Sequence, residues 1–266
     1  MKRILVAIAL ALVCSFANAQ TDSLSAKYAP LDSLLSQFYC ALEMEGIEEK
    51  CHEADFLIGA AQDSLTRQHI ALNIFDHYRD SKLMGDDSVA IYVYDNWFNG
   101  NVDFEGDLAA LDAEVFVKFN RYCQIDSTAV PITLYKPCKG KRTIPENDRM
   151  SVLFFFDTHC SKCILESKIL PDVLKDVNFP IYFYAVYSGT DKASWKQWRR
   201  KFKVSNRNVK VVHLWDPELD SSYQLYYGVY GTPRMFFVDS DGTILGKHLE
   251  VENLKMILSL VGALRG

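Results

Sequence analysis

The stretch "SVLFFFDTHCSKCILES", from Ser151 to Ser167, carries the strongest fold signal in the chain. It opens with a short apolar run, which is typical of a buried strand because both faces of the strand are hydrophobic. Cys160 and Cys163 follow, three residues apart, where a helical pattern begins. Residues three apart share one face of a helix, so the two thiols are predicted to lie within bonding reach. Such a pair can be a redox centre, a structural disulfide or part of a metal site.

Around this stretch, over residues 129–266, short apolar runs alternate with helical segments. The runs "IYFYAVY" and "VKVVHLW" are predicted strands, and the helix between them has an apolar face of Trp195, Trp198 and Phe202. The runs "VPITLY" and "KRTI" flank a Lys-Gly turn, and "RMFFVD" and "TILGKH" flank an Asp-Gly turn that predicts a hairpin. The amphipathic segment "VENLKMILSLV" closes the chain. This order predicts an α/β domain with a mixed sheet.

Residues 20–128 are predicted to form a separate, all-helical domain. Apolar residues recur there at spacings of three and four, and polar turns such as "MGDDS" separate the stripes. The acidic stretch 43–55 is predicted to be a solvated connection. The four stripes are Leu31, Leu34, Leu35, Phe38 and Leu42; Ile70, Ile74, Phe75 and Tyr78; Val89, Ile91, Tyr92, Tyr94, Trp97 and Phe98; and Leu108, Leu111, Val115, Phe116 and Phe119.

Residues 1–19 have the pattern of a cleaved secretory signal peptide. Lys2 and Arg3 form a basic start, a short apolar run follows, and 17–19 reads Ala-Asn-Ala, a small-x-small cleavage site. A membrane anchor is the alternative, although the apolar run is shorter than the ~20 residues that span a bilayer. The pattern predicts export to the periplasm, where disulfides can form.

Composition narrows the range of partners. The chain has a formal net charge of −5, so it has no basic excess and no nucleic-acid partner is predicted. Apolar residues make up 49% of the chain and aromatic residues 13%, which is enough to build a packed globular core.

The position of the cysteine pair suggests how it would react. A helix N-terminus carries partial positive charge and favours the thiolate of Cys160, and the thiolate is the nucleophile in disulfide exchange. His159 and Lys162 are predicted to tune this thiol by adding positive charge. Cys163 lies one turn further in, so it is expected to be more buried and to resolve the mixed disulfide that Cys160 forms.

The two other interpretations of the pair fit less well. A zinc site needs about four ligands, and the sequence has neither a second CxxC motif nor a close histidine pair, so no metal is predicted. A structural disulfide around two intervening residues would constrain the unfolded chain very little. A redox-active pair is therefore favoured. No cofactor is predicted, because the Cys160–Cys163 disulfide is itself the redox centre.

Together with "YGVYGTPRMFFVDSDGTILGKHL", the opening stretch resembles the exported TlpA/ResA-like thiol-disulfide oxidoreductases. Among these it is closest to Bacteroidetes members with a helical N-terminal domain. The resemblance implies an α/β thioredoxin-like domain, a mixed central sheet flanked by helices, preceded by an all-α domain. It also implies that Thr232 and Pro233 form a cis-proline loop that faces the cysteines and presents its backbone to the substrate. Glu166 matches an acidic residue that assists proton transfer near Cys163.

The resemblance also implies the partners of the protein and the direction of its redox reaction. Substrates would be periplasmic protein thiols or disulfides, electrons would come from a membrane donor, and the protein would act as a reductase or isomerase rather than an oxidase. The alternative function is a non-catalytic interaction module, in which the helical half binds a partner and the thioredoxin-like half is a scaffold.

Four further cysteines remain, Cys40, Cys51, Cys123 and Cys138. They can form two structural disulfides in three possible pairings, or remain as buried free thiols. The prediction is pairing between nearest neighbours, Cys40 with Cys51 and Cys123 with Cys138.

Overall fold

The structure, a computed structural model, describes residues 24–98 and 107–265. The predicted signal peptide, residues 1–19, lies outside these ranges. The chain divides into two compact units, Met1–Val117 and Lys118–Gly266. This division precedes the boundary predicted after residue 128, because Cys123 belongs to the hydrophobic core of the second unit.

The described part of the first unit is helical, as predicted. The apolar stripes of its first, third and fourth helices form one core, in which Phe38, Ile74 and Val89 are fully buried. Across residues 24–98 and 107–265, no helix is both long enough and apolar enough to cross a bilayer. The helices are α1 (Leu24–Leu42), α2 (Ile47–Ala60), α3 (Ser64–Arg79), α4 (Asp87–Trp97) and α5 (Asp107–Asn120).

Two parts of this unit differ from the prediction. The acidic stretch is mostly the helix α2, and its Asp55 accepts hydrogen bonds from the Tyr92 hydroxyl at 2.5 Å and the Trp97 indole at 2.7 Å. Acidic side chains in the first turn suit a helix N-terminus, so the charge that suggested a solvated connection is compatible with a helix. In α5 the predicted stripe is largely exposed, and the buried apolar side chains are instead Ala113 and Val117.

The second unit is built on a seven-stranded mixed sheet with strand order β2-β1-β5-β4-β3-β6-β7. Strands β3, β4 and β5 are parallel, and the strands on either side pair antiparallel to them. The predicted strands and the hairpin are confirmed. The strands are β1 (Ile132–Tyr135), β2 (Lys141–Ile144), β3 (Ser151–Phe156), β4 (Ile181–Tyr187), β5 (Val209–Trp215), β6 (Arg234–Val238) and β7 (Ile244–Gly246).

Both faces of the sheet are covered, which explains why β3 is buried at all six positions. Alternate side chains of a strand point to opposite faces, so Phe154 and Phe156 contribute to one core while Leu153 and Phe155 contribute to the other. The first core is shared with three helices, α6 (Ser161–Lys175), α7 (Lys192–Lys201) and α9 (Val251–Arg265). The second includes Tyr223 of the short helix α8 (Tyr223–Tyr226).

Candidate active site

The cysteine pair lies where the central strand β3 passes into α6. Cys160 is the N-cap residue of this helix, and its Sγ accepts a hydrogen bond from the backbone N–H of Cys163 at 3.1 Å. The two residues are joined as a disulfide, with their Cα atoms 5.2 Å apart, which is within the usual range for disulfides. Cys160 is partly exposed, whereas Cys163 is completely buried. An incoming thiolate or disulfide can therefore reach only the first sulfur.

Asp157 organises the loop that delivers Cys160 to the helix. Its carboxylate accepts a hydrogen bond from the backbone N–H of His159 at 2.7 Å, and its carbonyl accepts one from Cys160 at 3.4 Å. An aspartate that bonds to the backbone two residues ahead closes a local turn. Asp157 was not singled out from the sequence, although this turn preference was a signal that could have identified it.

The loop of Thr232 and Pro233 lies against the accessible sulfur. The peptide bond between these residues is cis, and the carbonyl oxygen of Thr232 is 3.3 Å from the Sγ of Cys160. Both residues are partly exposed. The structure therefore brings together Cys160, Cys163, Thr232 and Pro233, which were predicted as one site.

Glu166 lies one helical turn beyond Cys163 and is buried, with 5% of its surface exposed. Its Oε2 is buried and accepts no hydrogen bond from the described residues. Burial is the main reason that the pKa of this carboxyl rises from 4.5 to about 7; Glu250 and Glu252 raise it further, and Lys162 opposes the shift. A carboxyl group beside Cys163 can thus take up or release a proton near neutral pH.

The two predicted tuning residues are each next to a carboxylate. His159 is exposed, and its Nδ1 lies 3.2 Å from Asp157. The Nζ of Lys162 donates to the carboxylate of Glu250 at 2.8 Å, which is the main reason that the pKa of Lys162 is raised. These two carboxylates offset part of the positive charge that the sequence suggested for the surroundings of Cys160. Nothing local in the sequence could have revealed Glu250 as a partner, because it lies 88 residues from Lys162.

The predicted structural disulfides are wrong. Cys40 and Cys138 are exposed free thiols and Cys51 is a half-buried one. Cys123 is completely buried, and its thiol donates to the carbonyls of Phe119 and Asn120. A core thiol held against backbone carbonyls cannot pair with an exposed cysteine on a surface turn. Proximity in sequence was a poor guide because disulfide formation depends on the distance between Cα atoms in space.

Among residues 24–98 and 107–265, no group of three or more histidine, cysteine, aspartate or glutamate side chains is arranged to hold a metal ion.

A mixed sheet with a cysteine pair at the start of the helix after its central strand, facing a cis Thr-Pro loop, defines the thioredoxin-like fold. Comparison with solved structures shows this fold. A thioredoxin-like protein from Bacteroides caccae superposes with a TM-score of 0.67 at 11% identity, over 97% of this chain and 93% of its own. The match spans both the helical unit and the thioredoxin-like unit.

Two further solved structures each match about half of this chain. A thioredoxin domain of a thiol-disulfide oxidoreductase from Bacteroides vulgatus has 20% identity and a TM-score of 0.43, over 52% of this chain and 97% of its own. A thiol-disulfide oxidoreductase from Bacteroides fragilis has 18% identity and a TM-score of 0.44, over 51% of this chain and 99% of its own. No family model and no curated protein matches the chain.

Proposed function

We propose that this chain is an exported thiol-disulfide oxidoreductase that exchanges disulfides with protein substrates through Cys160 and Cys163. The observation that carries the proposal is the asymmetry of the pair. One sulfur is accessible at a helix N-terminus, and the other is buried beside a carboxyl group with a pKa of about 7. A purely structural disulfide needs neither the difference in access nor the nearby proton acceptor.

The reaction begins from the reduced pair. The Cys160 thiolate attacks one sulfur of a substrate disulfide, so that a bond between Cys160 and the substrate forms while the substrate disulfide breaks and one substrate thiolate leaves. Cys163 then attacks the Sγ of Cys160, which forms the intramolecular disulfide and releases the second substrate thiolate. Two electrons pass from the cysteine pair to the substrate. An electron donor in the membrane would return the pair to its reduced form.

Glu166 would supply the proton transfer that the second step needs. A buried thiol must lose its proton before it can attack, and a carboxylate one helical turn away is suited to accept that proton. With a pKa of about 7, this carboxyl is partly ionised and partly protonated at neutral pH. It can therefore accept the Cys163 proton during resolution and afterwards donate it to the departing substrate thiolate.

The setting and direction are part of the same proposal. The N-terminal pattern supports export to the periplasm. The substrates would be protein thiols or disulfides in that compartment, and the proposed reaction uses neither a metal nor a nucleic acid. We propose a reductase or isomerase rather than an oxidase. The reduction potential of the Cys160–Cys163 couple would decide this, since about −270 mV is typical of a reductase and about −120 mV of an oxidant.

Insulin reduction by the purified protein, with a thiol reductant, tests the activity. The Cys160→Ser variant is expected to fall to the rate without enzyme, because it removes the attacking sulfur. Cys138→Ser is the matched control, since it removes an exposed thiol outside the site and should keep the full rate. Full activity of Cys160→Ser would exclude this mechanism.

A trapping experiment separates catalysis from the alternative of a non-catalytic interaction module. Cys163→Ser keeps the attacking thiol but lacks the resolving one, so mixed disulfides with periplasmic proteins should accumulate and appear on non-reducing gels. The double variant Cys160→Ser/Cys163→Ser should show none of these adducts. A folded Cys163→Ser protein that traps nothing would favour the interaction module.

A further inference from the structure

A groove with a volume of about 500 Å³ lies between α6 and α7, and two of its lining residues are close to the cysteine pair in sequence. Thr158, two residues before Cys160, lines it, and so does Ile164, which directly follows Cys163. Ile164 is 44% exposed although it is a large apolar residue. The groove thus adjoins the segment that carries the cysteine pair, and its volume falls within the range of about 300–1,000 Å³ that is usual for ligand sites.

The floor of the groove is apolar and held in place. Trp198 packs on Phe156 with ring centroids 4.0 Å apart and stacks on Phe202 at 4.6 Å. Its indole N–H donates to the hydroxyl of Ser167 at 3.0 Å. Because these contacts already orient the ring, an apolar side chain entering the groove would meet a preformed surface and would not have to order it.

The rim of the groove is positively charged. Lys168 and Lys201 are exposed lining residues, and no lining residue is acidic. Within the part of the chain that the structure describes, neither lysine forms an ion pair, whereas Lys162 on the same helix as Lys168 is paired with Glu250. Charge complementarity therefore favours an occupant that carries carboxylates.

We propose that this groove holds the segment that flanks the reactive cysteine of the substrate protein, and that it selects an apolar side chain followed by acidic ones. This inference rests on the proposed function and adds the substrate class. Along α6, Ile164 lies ~6 Å beyond Cys160 and Lys168 ~12 Å beyond it, at 1.5 Å per residue. An extended peptide advances ~3.3 Å per residue, which places the apolar residue about two positions from the substrate cysteine and the acidic residues about three to four.

Synthetic peptides test this preference. Each peptide carries one cysteine as a mixed disulfide with 2-nitro-5-thiobenzoate, and attack by Cys160 on the peptide sulfur releases the coloured thiolate. The flanks are symmetric, so either chain direction can bind. The first peptide has leucine two residues from the cysteine and aspartate three and four residues from it. The second peptide has lysine in place of aspartate, and the third has alanine in place of leucine. The fourth peptide has only glycine and serine around the cysteine.

The aspartate peptide is expected to react with a kcat/KM about tenfold above the lysine peptide at low ionic strength, and the ratio should shrink as salt is added. Replacing leucine by alanine should lower kcat/KM about tenfold or more, the usual effect of removing methylenes from an apolar site. In the Lys168→Glu/Lys201→Glu variant the preference should reverse towards the lysine peptide. Lys196→Glu reverses one charge at an exposed position of α7 outside the groove and should leave the ratio as in the wild type.

The outcomes separate the two proposals. If all four peptides react equally, or the lysine peptide is preferred by the wild type, the groove does not select substrates although the redox function stands. If no peptide reacts, the proposed function itself fails. The glycine-serine peptide should react equally with the wild type and the double lysine variant, which shows that the redox centre is intact in both. The comparison among peptides on the wild type does not depend on any variant folding.

Discussion

The helical unit and the thioredoxin-like unit each bury ionisable side chains, but they surround them differently. In the helical unit, the Lys50 ammonium donates to one oxygen of Asp86 at 2.6 Å, and the hydroxyl of Ser81 donates to the other at 2.7 Å. Both charged side chains are about 95% buried. In the thioredoxin-like unit, Glu166 is buried with one carboxyl oxygen that accepts no hydrogen bond from the described residues.

The difference shows what each buried group contributes. A charge pair whose partners are in contact is costly to break, so it acts on stability. A buried carboxyl without such partners has a proton affinity set by burial, and its pKa of about 7 makes it a proton carrier near neutral pH. The comparison predicts that substitutions at the first site change the free energy of unfolding, while substitutions at Glu166 change pH dependence and rates.

The largest effect is expected from breaking the buried pair. Lys50→Ala should lower the free energy of unfolding by about 3–5 kcal/mol, because Asp86 remains buried without its cation. Denaturant unfolding of the whole chain measures this.

Lys82→Ala removes an exposed lysine from the same unit and should stay within about 0.5 kcal/mol of the wild type. Lys50→Met/Asp86→Leu should recover most of the loss, because no buried charge is left without a partner. A Lys50→Ala protein as stable as the wild type would contradict the structural role of the pair.

The second-largest effect is expected at Glu166, where removing the ionisable group should raise the stability of the protein in a pH-dependent way. The folded pKa of Glu166 is raised above 4.5 to about 7, so ionising this group opposes folding. The stability that the protonated Glu166 contributes is fully present below pH 4.5, and it is lost as the pH rises through about 7. Glu166→Gln cannot ionise, so in the disulfide form it should be more stable than the wild type by roughly 2–3 kcal/mol at pH 8 and nearly equal at pH 4.

Unfolding curves of the oxidised proteins at several pH values test this difference. The matched control is Glu114→Gln, which makes the same substitution at an exposed position of α5 and should stay within about 0.5 kcal/mol of the wild type. A difference between Glu166→Gln and the wild type that is constant from pH 4 to pH 8 would mean that Glu166 does not titrate in this range.

The third effect concerns the rate of resolution. Glu166→Gln should slow release of a preformed mixed disulfide about tenfold or more at pH 7, since the amide cannot accept the proton of Cys163. Stopped-flow release from a trapped Cys160 adduct measures this step alone. Alkylation of Cys160 should hardly change in the same variant. If resolution keeps its wild-type rate and pH profile, Glu166 is only a buried residue.

The smallest effect is expected at His159. The side chain is 71% exposed and lies against Asp157, so solvent and this carboxylate both weaken its influence on Cys160. The rate of alkylation of reduced Cys160 by iodoacetamide at pH 7 should change less than about twofold in His159→Ala. A change of tenfold would show that the imidazole acts directly on the thiolate.

Much of this fold could be predicted from local patterns. The continuous apolar run of β3 and the apolar spacing of α1 and α3 indicated the elements that the structure contains. The helix α2 was missed because its charged residues masked the few apolar positions, Leu57 and Ile58 among them, that face the core. The α5 stripe was predicted from spacing alone, and spacing does not show which face of a helix meets other elements.

The candidate site, too, could be predicted from the sequence only in part. Cys160, Cys163 and Glu166 lie at successive intervals of three along one helix, so their proximity could be predicted from the sequence. The partners that change their chemistry come from elsewhere in the chain. Glu250 reaches Lys162 across 88 residues, and Thr232 reaches Cys160 across 72. The groove beside the pair likewise needs Trp198 of α7 to pack against the core of the sheet.

By itself, the sequence determined the order of strands and helices in the thioredoxin-like unit and the placement of the cysteine pair at a helix start. These features depend on periods of 2 and 3.6 residues that are local to each element. Only the tertiary structure decided that Cys163 and Glu166 are buried, that the other four cysteines do not pair with each other, and that carboxylates face His159 and Lys162. Burial and pairing depend on which distant segments pack together, and no local period encodes that.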